Sequence, residues 1–546
     1  MEYYFSVVRT ILMKNLFALL FLGLIGSILF LATLRGIAGN PPASSIKNNL
    51  DQATKPFELS PERGRFLLTQ NLSEYHSFAL SQEQGNAALP DVGYYKGKYF
   101  IFFAPGISLF ALPFYNIGLH YNLSQVFSFS MIGIFSVFNL LFVFLIARSI
   151  LKLPIWAGLL ASIIYGFGSV GWSYSGTLYQ HQPTVFFIMA SFYAVWQYKM
   201  HRTWGFLWGF FIWTNYALAM LIDYPNAILM LPVMIYFLLV SIRIKKTEDN
   251  YKISFRFAII FTSLFFIIIT VLHGYYNYQN FGGSTKVSGD LVGYQTIKRL
   301  KLDQGNPAQN LIKIDELSRK KNPVNSITEY NLVRGGYELL IAPDKGIFIF
   351  NPIFLLGILG IIYAFKKLTL EKSILMSLAV TNLFFYSSWV DPWGGWAFGP
   401  RYLIPSMAVL SLFVSLLLVE VKHKFLMRIL TFFFLAFSVA VSLLGALTTN
   451  AVPPSTEAIP LKIKDGFMFN VDFLTTNRSS SFVYNTYFHQ QMSLIQYYEI
   501  IFSVVMVIIF IVLFILPLFS KKAHHDIAIL TSDGTLKEKG GISPGN

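Results

Sequence analysis

The sequence predicts an all-α polytopic membrane protein, with about twelve spanning helices and its longest irregular segments gathered on one side of the bilayer. Three observations predict it. Of 546 residues, 54% are hydrophobic and only 13% are charged, about half the charged share of soluble domains. Apolar runs of roughly 20 residues, the length that carries a helix across a bilayer, recur between Asn15 and Ser520. The short breaks at alternate positions between those runs are rich in Lys and Arg, as the positive-inside rule requires.

Taken in chain order, the predicted spans are 15–34, 124–147, 155–174, 180–198, 204–222, 225–242, 257–275, 346–365, 373–390, 402–420, 429–448 and 498–519. One set of breaks holds Arg9 and Lys14, Arg148 and Lys152, Lys199 and Arg202, Arg243 through Arg256, Lys366 and Lys367, Lys422 through Arg428, and Lys521 and Lys522. These are cytoplasmic by charge. The opposite set contains the long segments 35–123, 276–345 and 450–497, which therefore face the extracytoplasmic side. The first apolar run is too long for a signal-peptide core and fits the charge alternation as a retained anchor. Both termini are then cytoplasmic. Residues 1–520 form one transmembrane domain, and the polar 521–546 tail, punctuated by Gly and Pro, is expected to be disordered.

The net charge of +15 does not point to nucleic acid, because the basic residues are spread over short breaks and not over one soluble module. The absence of cysteine excludes disulfides, thiolate catalysis and Cys-ligated metals. No spacing compels a metal site. A divalent cation held by carboxylates distant in sequence is left open.

The first long segment is the most informative. Ser60-Pro61-Glu62-Arg63-Gly64-Arg65 followed by Phe66-Leu67-Leu68 combines a capping residue, Pro in the first turn and an early acid, and predicts a helix lying at the membrane interface. Glu62 either faces a polar cleft above the bundle or simply complements the helix dipole. Asp91 opens a stretch that predicts a hairpin turning at Lys96-Gly97. The apolar run 107–117 after Pro105-Gly106 predicts a short helix kept on the outer face, since counting it as a span would invert every later loop.

At these residues the chain resembles the membrane-embedded C-type glycosyltransferases that use polyprenyl-phosphate sugars, among them the protein O-mannosyltransferase and aminoarabinose transferase relatives. The similar phrases are Glu62 to Leu68, Asp91 to Pro113, Asp223-Tyr224-Pro225, Tyr276-Asn277 with Phe281-Gly282, and Gly394-Gly395-Trp396-Ala397-Phe398-Gly399-Pro400-Arg401-Tyr402-Leu403-Ile404-Pro405. The last is the most specific. Many members of the family carry two adjacent acids where this chain has Glu62 followed by Arg63.

The resemblance implies transfer of a sugar from a polyprenyl-phosphate donor to an acceptor hydroxyl or amine at the extracytoplasmic face, with inversion. The acceptor could be a lipid, a glycan or a protein. Such a step needs a base and positive charge at the leaving phosphate. Glu62 is the first candidate base and Asp91 the second, or a hydrogen-bond partner of the donor sugar. Either could instead be a solvated loop acid. Arg401 is placed for the phosphate as a planar fork of donors, or for snorkelling. Lys96 and Lys98 could share its role or be surface charges. Tyr95, Tyr402, Trp396 and His181 complete the expected substrate-binding set; Trp396, with Trp393, could equally belong to an interfacial belt, and His181 could be structural. Asp223 and Asp391 stand at outer span ends. Two other functions compete: a lipid or glycan transporter, which should carry charge near span midpoints, and a scaffold whose outer loops bind a partner.

Overall fold

A computed structural model of the chain describes residues 2–46, 57–246, 251–255, 261–302, 307–320, 331–389 and 391–519. The expected tail at 521–546 and the basic pair Lys521–Lys522 lie outside the described residues. Each of the twelve predicted ranges holds a helix, from Glu2–Ala32 at the start to Leu494–Phe510 and its continuation at the end. Among the described residues, six are long and apolar enough to cross a membrane: Met13–Ala32, Ser124–Ile150, Gly205–Ile222, Arg401–Glu420, Lys424–Leu447 and Leu494–Phe519. The other ranges hold helices that are shorter or more polar. His181–Met200 carries His181, Gln182, Gln197 and Lys199, and the 346–365 range is broken into Ile347–Phe350 and Ile353–Ala364 by Asn351-Pro352, where proline withholds a backbone donor.

The helix Ile404–Glu420 is central. Every residue from Ile404 to Leu418 is buried, whereas Met13–Ala32 exposes Phe17, Leu20, Leu24, Ile28 and Leu31, the face a peripheral helix shows to lipid. Close packing on the central helix depends on small residues. A Cβ added at Gly360 would stand 2.1 Å from the carbonyl oxygen of Phe413. Gly360→Ala should therefore force the helices apart and lower stability by about 1–3 kcal/mol, read as a lowered melting temperature in detergent.

At one end of the bundle the irregular segments assemble into a cap. The helix Ser60–Tyr75 forms where the cap and Pro signals place it. It is followed by the hairpin Val92–Tyr95 with Lys98–Ile101, paired Val92 to Ile101 through Tyr95 to Lys98. Lys96 and Gly97 both adopt positive φ, 48° and 79°, the turn whose twist suits a two-residue hairpin. A third short strand, Val292–Gly293, pairs with Gly93 and Tyr94, so the first and second long segments share one sheet. The run after Pro105 is the helix Gly106–His120, packed on Ser60–Tyr75 and on Ser124–Leu145. At the other end lies a hairpin the sequence did not predict, Ile242–Lys246 with Tyr251–Phe255, in what reads as a charged loop.

The cap is tied to the bundle by a buried contact between Arg35 and Glu58. Arg35, just past the first helix, bonds the Glu58 carboxylate and donates to the Gly445 carbonyl at 2.5 Å. Glu58 also accepts from the Asn450 amide at 2.7 Å. Burial outweighs the attraction of Arg35 and pushes the Glu58 carboxyl up to about 7. The folded protein thus holds a proton at Glu58 that the unfolded chain releases near pH 4.5, so this contribution is fully present in acid and is lost as pH rises through about 7. It amounts to about 3 kcal/mol at most. The melting temperature should fall between pH 5 and pH 8 more steeply in the parent than in Glu58→Gln.

Candidate functional site

The site is built where the helix Ser60–Tyr75 begins. Leu59 precedes it and has no side-chain acceptor to cap it, so Glu62 turns back. One carboxylate oxygen accepts from the Glu58 and Leu59 amides, the latter at 3.1 Å, and the other accepts from the Thr177 hydroxyl. Glu62 is buried and committed to holding this helix start against the 169–180 turn. The next two basic residues are wholly buried. Arg63 donates to the Leu89 carbonyl at 2.6 Å. Arg65 donates to the Leu178 carbonyl at 3.1 Å and to Gln180 Oε1 at 2.8 Å, with its guanidinium 4.4 Å from the centre of the Phe103 ring.

Asp91 enters beside them. Its Oδ2 accepts from the Ser60 hydroxyl at 2.5 Å, and Arg401, Arg63 and Arg65 all act on its charge. Desolvation wins over these and pushes its carboxyl up. Asp223, the residue after the helix Gly205–Ile222, faces the same arginines. Burial raises it to about 6 against the opposing pull of Arg65, a Gln180 hydrogen bond and Arg401. The half-buried carboxylates of Asp91 and Asp223 thus share one enclosure with the buried Arg65 and the half-buried Arg401.

Arg401 is presented by the loop 391–400. Gly394 turns at φ 71°, where a Cβ would meet the Tyr402 ring at 3.0 Å and Arg401 Nε at 3.1 Å. That close approach lets Arg401 donate to the Gly394 carbonyl at 2.7 Å. Its guanidinium lies 5.3 Å from the Tyr179 ring and 5.4 Å from the Tyr402 ring. Tyr402 stacks on Tyr386 at 4.2 Å with 2° between the rings. His181 stacks on Tyr179 at 5.8 Å and meets the Tyr402 ring at 6.2 Å. Beneath the loop, wholly buried Lys345 donates to the Ala397 carbonyl, and burial brings its ammonium down to about 7. Asp391, at the head of the loop, is pushed up by burial against the pull of Arg401.

The structure therefore brings together Asp91, Arg401, His181 and Tyr402 of the expected residues, with Glu62 in the wall behind them. It does not bring the hairpin tip to them. Lys96 and Lys98 are exposed, Lys96 lies over the half-buried Tyr95 at 5.3 Å, and the Tyr95 hydroxyl is turned to Gly282. Trp396 commits its indole N–H to Glu457 at 2.6 Å. Sequence reasoning gave Arg65 no substrate-binding role, and gave Asp223 no role beyond its place at a span end. The signal for both was a charge flanked by apolar sequence, as in Arg65-Phe66 and Ile222-Asp223.

Several buried polar atoms here have no hydrogen-bond partner among the described residues: Arg65 Nε, Arg401 Nε, Tyr179 Oη and His181 Nε2. Unsatisfied groups are rare in folded chains and concentrate where a ligand completes them. Among the described residues no three His, Cys, Asp or Glu side chains come together in a metal-binding group.

Fold and site define a helical integral membrane protein with a buried arginine–carboxylate enclosure at one end of its bundle. No family model matches the chain, and no curated protein matches it. Among solved structures it is similar to ArnT from Cupriavidus metallidurans bound to undecaprenyl phosphate, at 11% identity and a TM-score of 0.45 over 90% of this chain and 75% of that one. The apo form of that protein is matched over the same shares at 10% identity and a TM-score of 0.43. The oligosaccharyltransferase from Archaeoglobus fulgidus, tethered to an acceptor peptide, is matched over 81% of this chain and 56% of its own length, at 12% identity and a TM-score of 0.40.

Proposed function

We propose that the protein transfers a sugar from a polyprenyl-phosphate donor to an acceptor hydroxyl or amine at the extracytoplasmic end of the membrane domain. The observation that carries this reading is the enclosure itself: Arg65 and Arg401 have unpartnered Nε atoms, and Asp91 and Asp223 face them. Guanidinium groups with donors to spare match a phosphate, and a carboxylate raised by burial is suited to take a proton. The phrase resemblance around Glu62, Asp91 and Arg401 supports the same reading.

In the proposed reaction the acceptor oxygen or nitrogen attacks the anomeric carbon opposite the phosphate. The bond between that carbon and the phosphate oxygen breaks, its electron pair stays with the polyprenyl phosphate, and the acceptor's proton passes to Asp91. A single displacement of this kind inverts the anomeric centre. Arg401 and Arg65 bear the charge that develops on the leaving phosphate. Asp223 holds Arg65 through charge and accepts from Gln180, keeping the guanidinium plane aimed at the donor. Glu62 fixes the helix that carries Arg63 and Arg65. Tyr402 and His181 line the sugar side.

The purified protein should release free polyprenyl phosphate from a lipid-linked hexose, pentose or aminosugar in the presence of an acceptor extract. Turnover with nucleotide sugars alone would overturn the reading. Transport of an intact lipid-linked sugar without phosphate release would replace it by the transporter function.

A further inference from the structure

The end of the bundle opposite Arg401 carries a cavity that the transfer reaction does not use. The helix Ile404–Glu420 has 17 residues and so rises about 25 Å, which puts Glu420 roughly the depth of a bilayer core away from Arg401. Around Glu420 the turns at 365–372 and 420–423 enclose a cavity of ≈ 260 Å³ lined by Lys366, Lys367, Lys372, Lys422, His423 and Glu420. Lys372 donates to the Lys367 carbonyl at 2.9 Å and Lys366 lies over the Tyr363 ring at 4.2 Å, while the ammonium groups of Lys367 and Lys422 take no such partner among the described residues. Among the described residues none of these four lysines forms an ion pair with a carboxylate. Beside the cavity, Phe365, Leu368, Phe425 and Leu426 expose between 49% and 69% of their surface.

We propose that this cavity binds the anionic headgroup of a membrane phospholipid, whose acyl chains lie over Phe365, Leu368, Phe425 and Leu426. The volume falls just below that of sites for whole small molecules, about 300–1,000 Å³, and suits a headgroup whose remainder stays in the bilayer. Charge supplies the selection, since basic pockets between spanning helices take phosphate-bearing headgroups. The apolar collar selects a lipid over a soluble anion. This inference does not depend on the transfer reaction.

The test is native mass spectrometry of the full chain exchanged into defined mixtures of phosphatidylglycerol and phosphatidylcholine, with inorganic phosphate as the soluble competitor. The parent should retain phosphatidylglycerol in preference to phosphatidylcholine. Lys367→Gln with Lys422→Gln should weaken that retention by about 30-fold, two lysines' worth of surface attraction, while the Lys→Arg pair at the same positions keeps it. Lys464→Gln, at a lysine already paired with Asp472, should leave it unchanged. Equal retention of the two lipids by the parent, undiminished retention by the Gln pair, or displacement of the lipid by inorganic phosphate would each overturn the proposal. If the Gln pair does not fold, the parent's lipid preference and the phosphate competition still decide.

Discussion

Asp91→Asn should lower single-turnover transfer by roughly 100-fold or more, with donor binding nearly intact, while Glu62→Gln loses far less turnover and shows its defect in stability. The two acids are separated by their partners. Asp91 accepts one hydrogen bond, from Ser60, and faces the arginines. Glu62 accepts from the amides of Glu58 and Leu59 on one oxygen and from Thr177 on the other, which ties both oxygens to the helix start and leaves at most one lone pair for an acceptor proton. Glu62→Gln keeps one carbonyl oxygen for the helix start and loses the other, a change of about 1 kcal/mol by analogy with capping losses. The pH profile adds an independent reading. Because burial raises Asp91, the unprotonated base is lost at a higher pH than for an ordinary carboxylate, so the acid limb of the transfer rate should sit above the usual carboxylate range and vanish in Asp91→Asn. Full transfer by Asp91→Asn together with loss in Glu62→Gln would return the base to Glu62.

Arg401→Lys should weaken donor binding as well as turnover, each by about 10- to 100-fold, the worth of a charge-assisted hydrogen bond. A lysine keeps the charge but cannot span Gly394, the donor phosphate and the two tyrosine rings at once. In the parent, the Gly394 carbonyl takes one guanidinium nitrogen at 2.7 Å, the Tyr179 and Tyr402 rings lie on its flanks, and Nε remains unpartnered. The separation from Asp91→Asn is thus visible in affinity: equilibrium binding of a non-transferable lipid phosphate changes in one variant and not in the other. A thermal melt in detergent distinguishes either result from misfolding.

The parts of the fold that local chemistry dictates were legible. Ser60 and Pro61 mark the helix Ser60–Tyr75, Lys96-Gly97 marks the hairpin, and Gly394 sets the loop that presents Arg401. What escaped depends on contacts remote in sequence. Asp223 acquires meaning only beside Arg65 and Arg401, and the partner that fixes the Trp396 indole N–H, Glu457, lies on a separate short helix. Glu62 illustrates the same limit from the other side. Its position in the first turn was readable, but Thr177, which completes its shell, arrives from the turn just past the third predicted span. Helices stand at the predicted positions, but among the described residues six are long and apolar enough to cross a membrane, because polar residues and Asn351-Pro352 shorten or break several of the others.

The small sheet has a consequence for any attempt to rebuild this protein. Asp91 immediately precedes Val92, and the strand Val92–Tyr95 is held on one side by Lys98–Ile101 and on the other by Val292–Gly293. The placement of one carboxylate is therefore the joint property of two loops encoded far apart. A chimera that exchanges only the first loop with that of another protein would graft the acid but cut its splint. Recombination breakpoints that preserve the position of Asp91 have to move both segments as one cassette, and changes introduced around Val292–Gly293 reach Asp91 through the backbone ladder, before any side chain is altered.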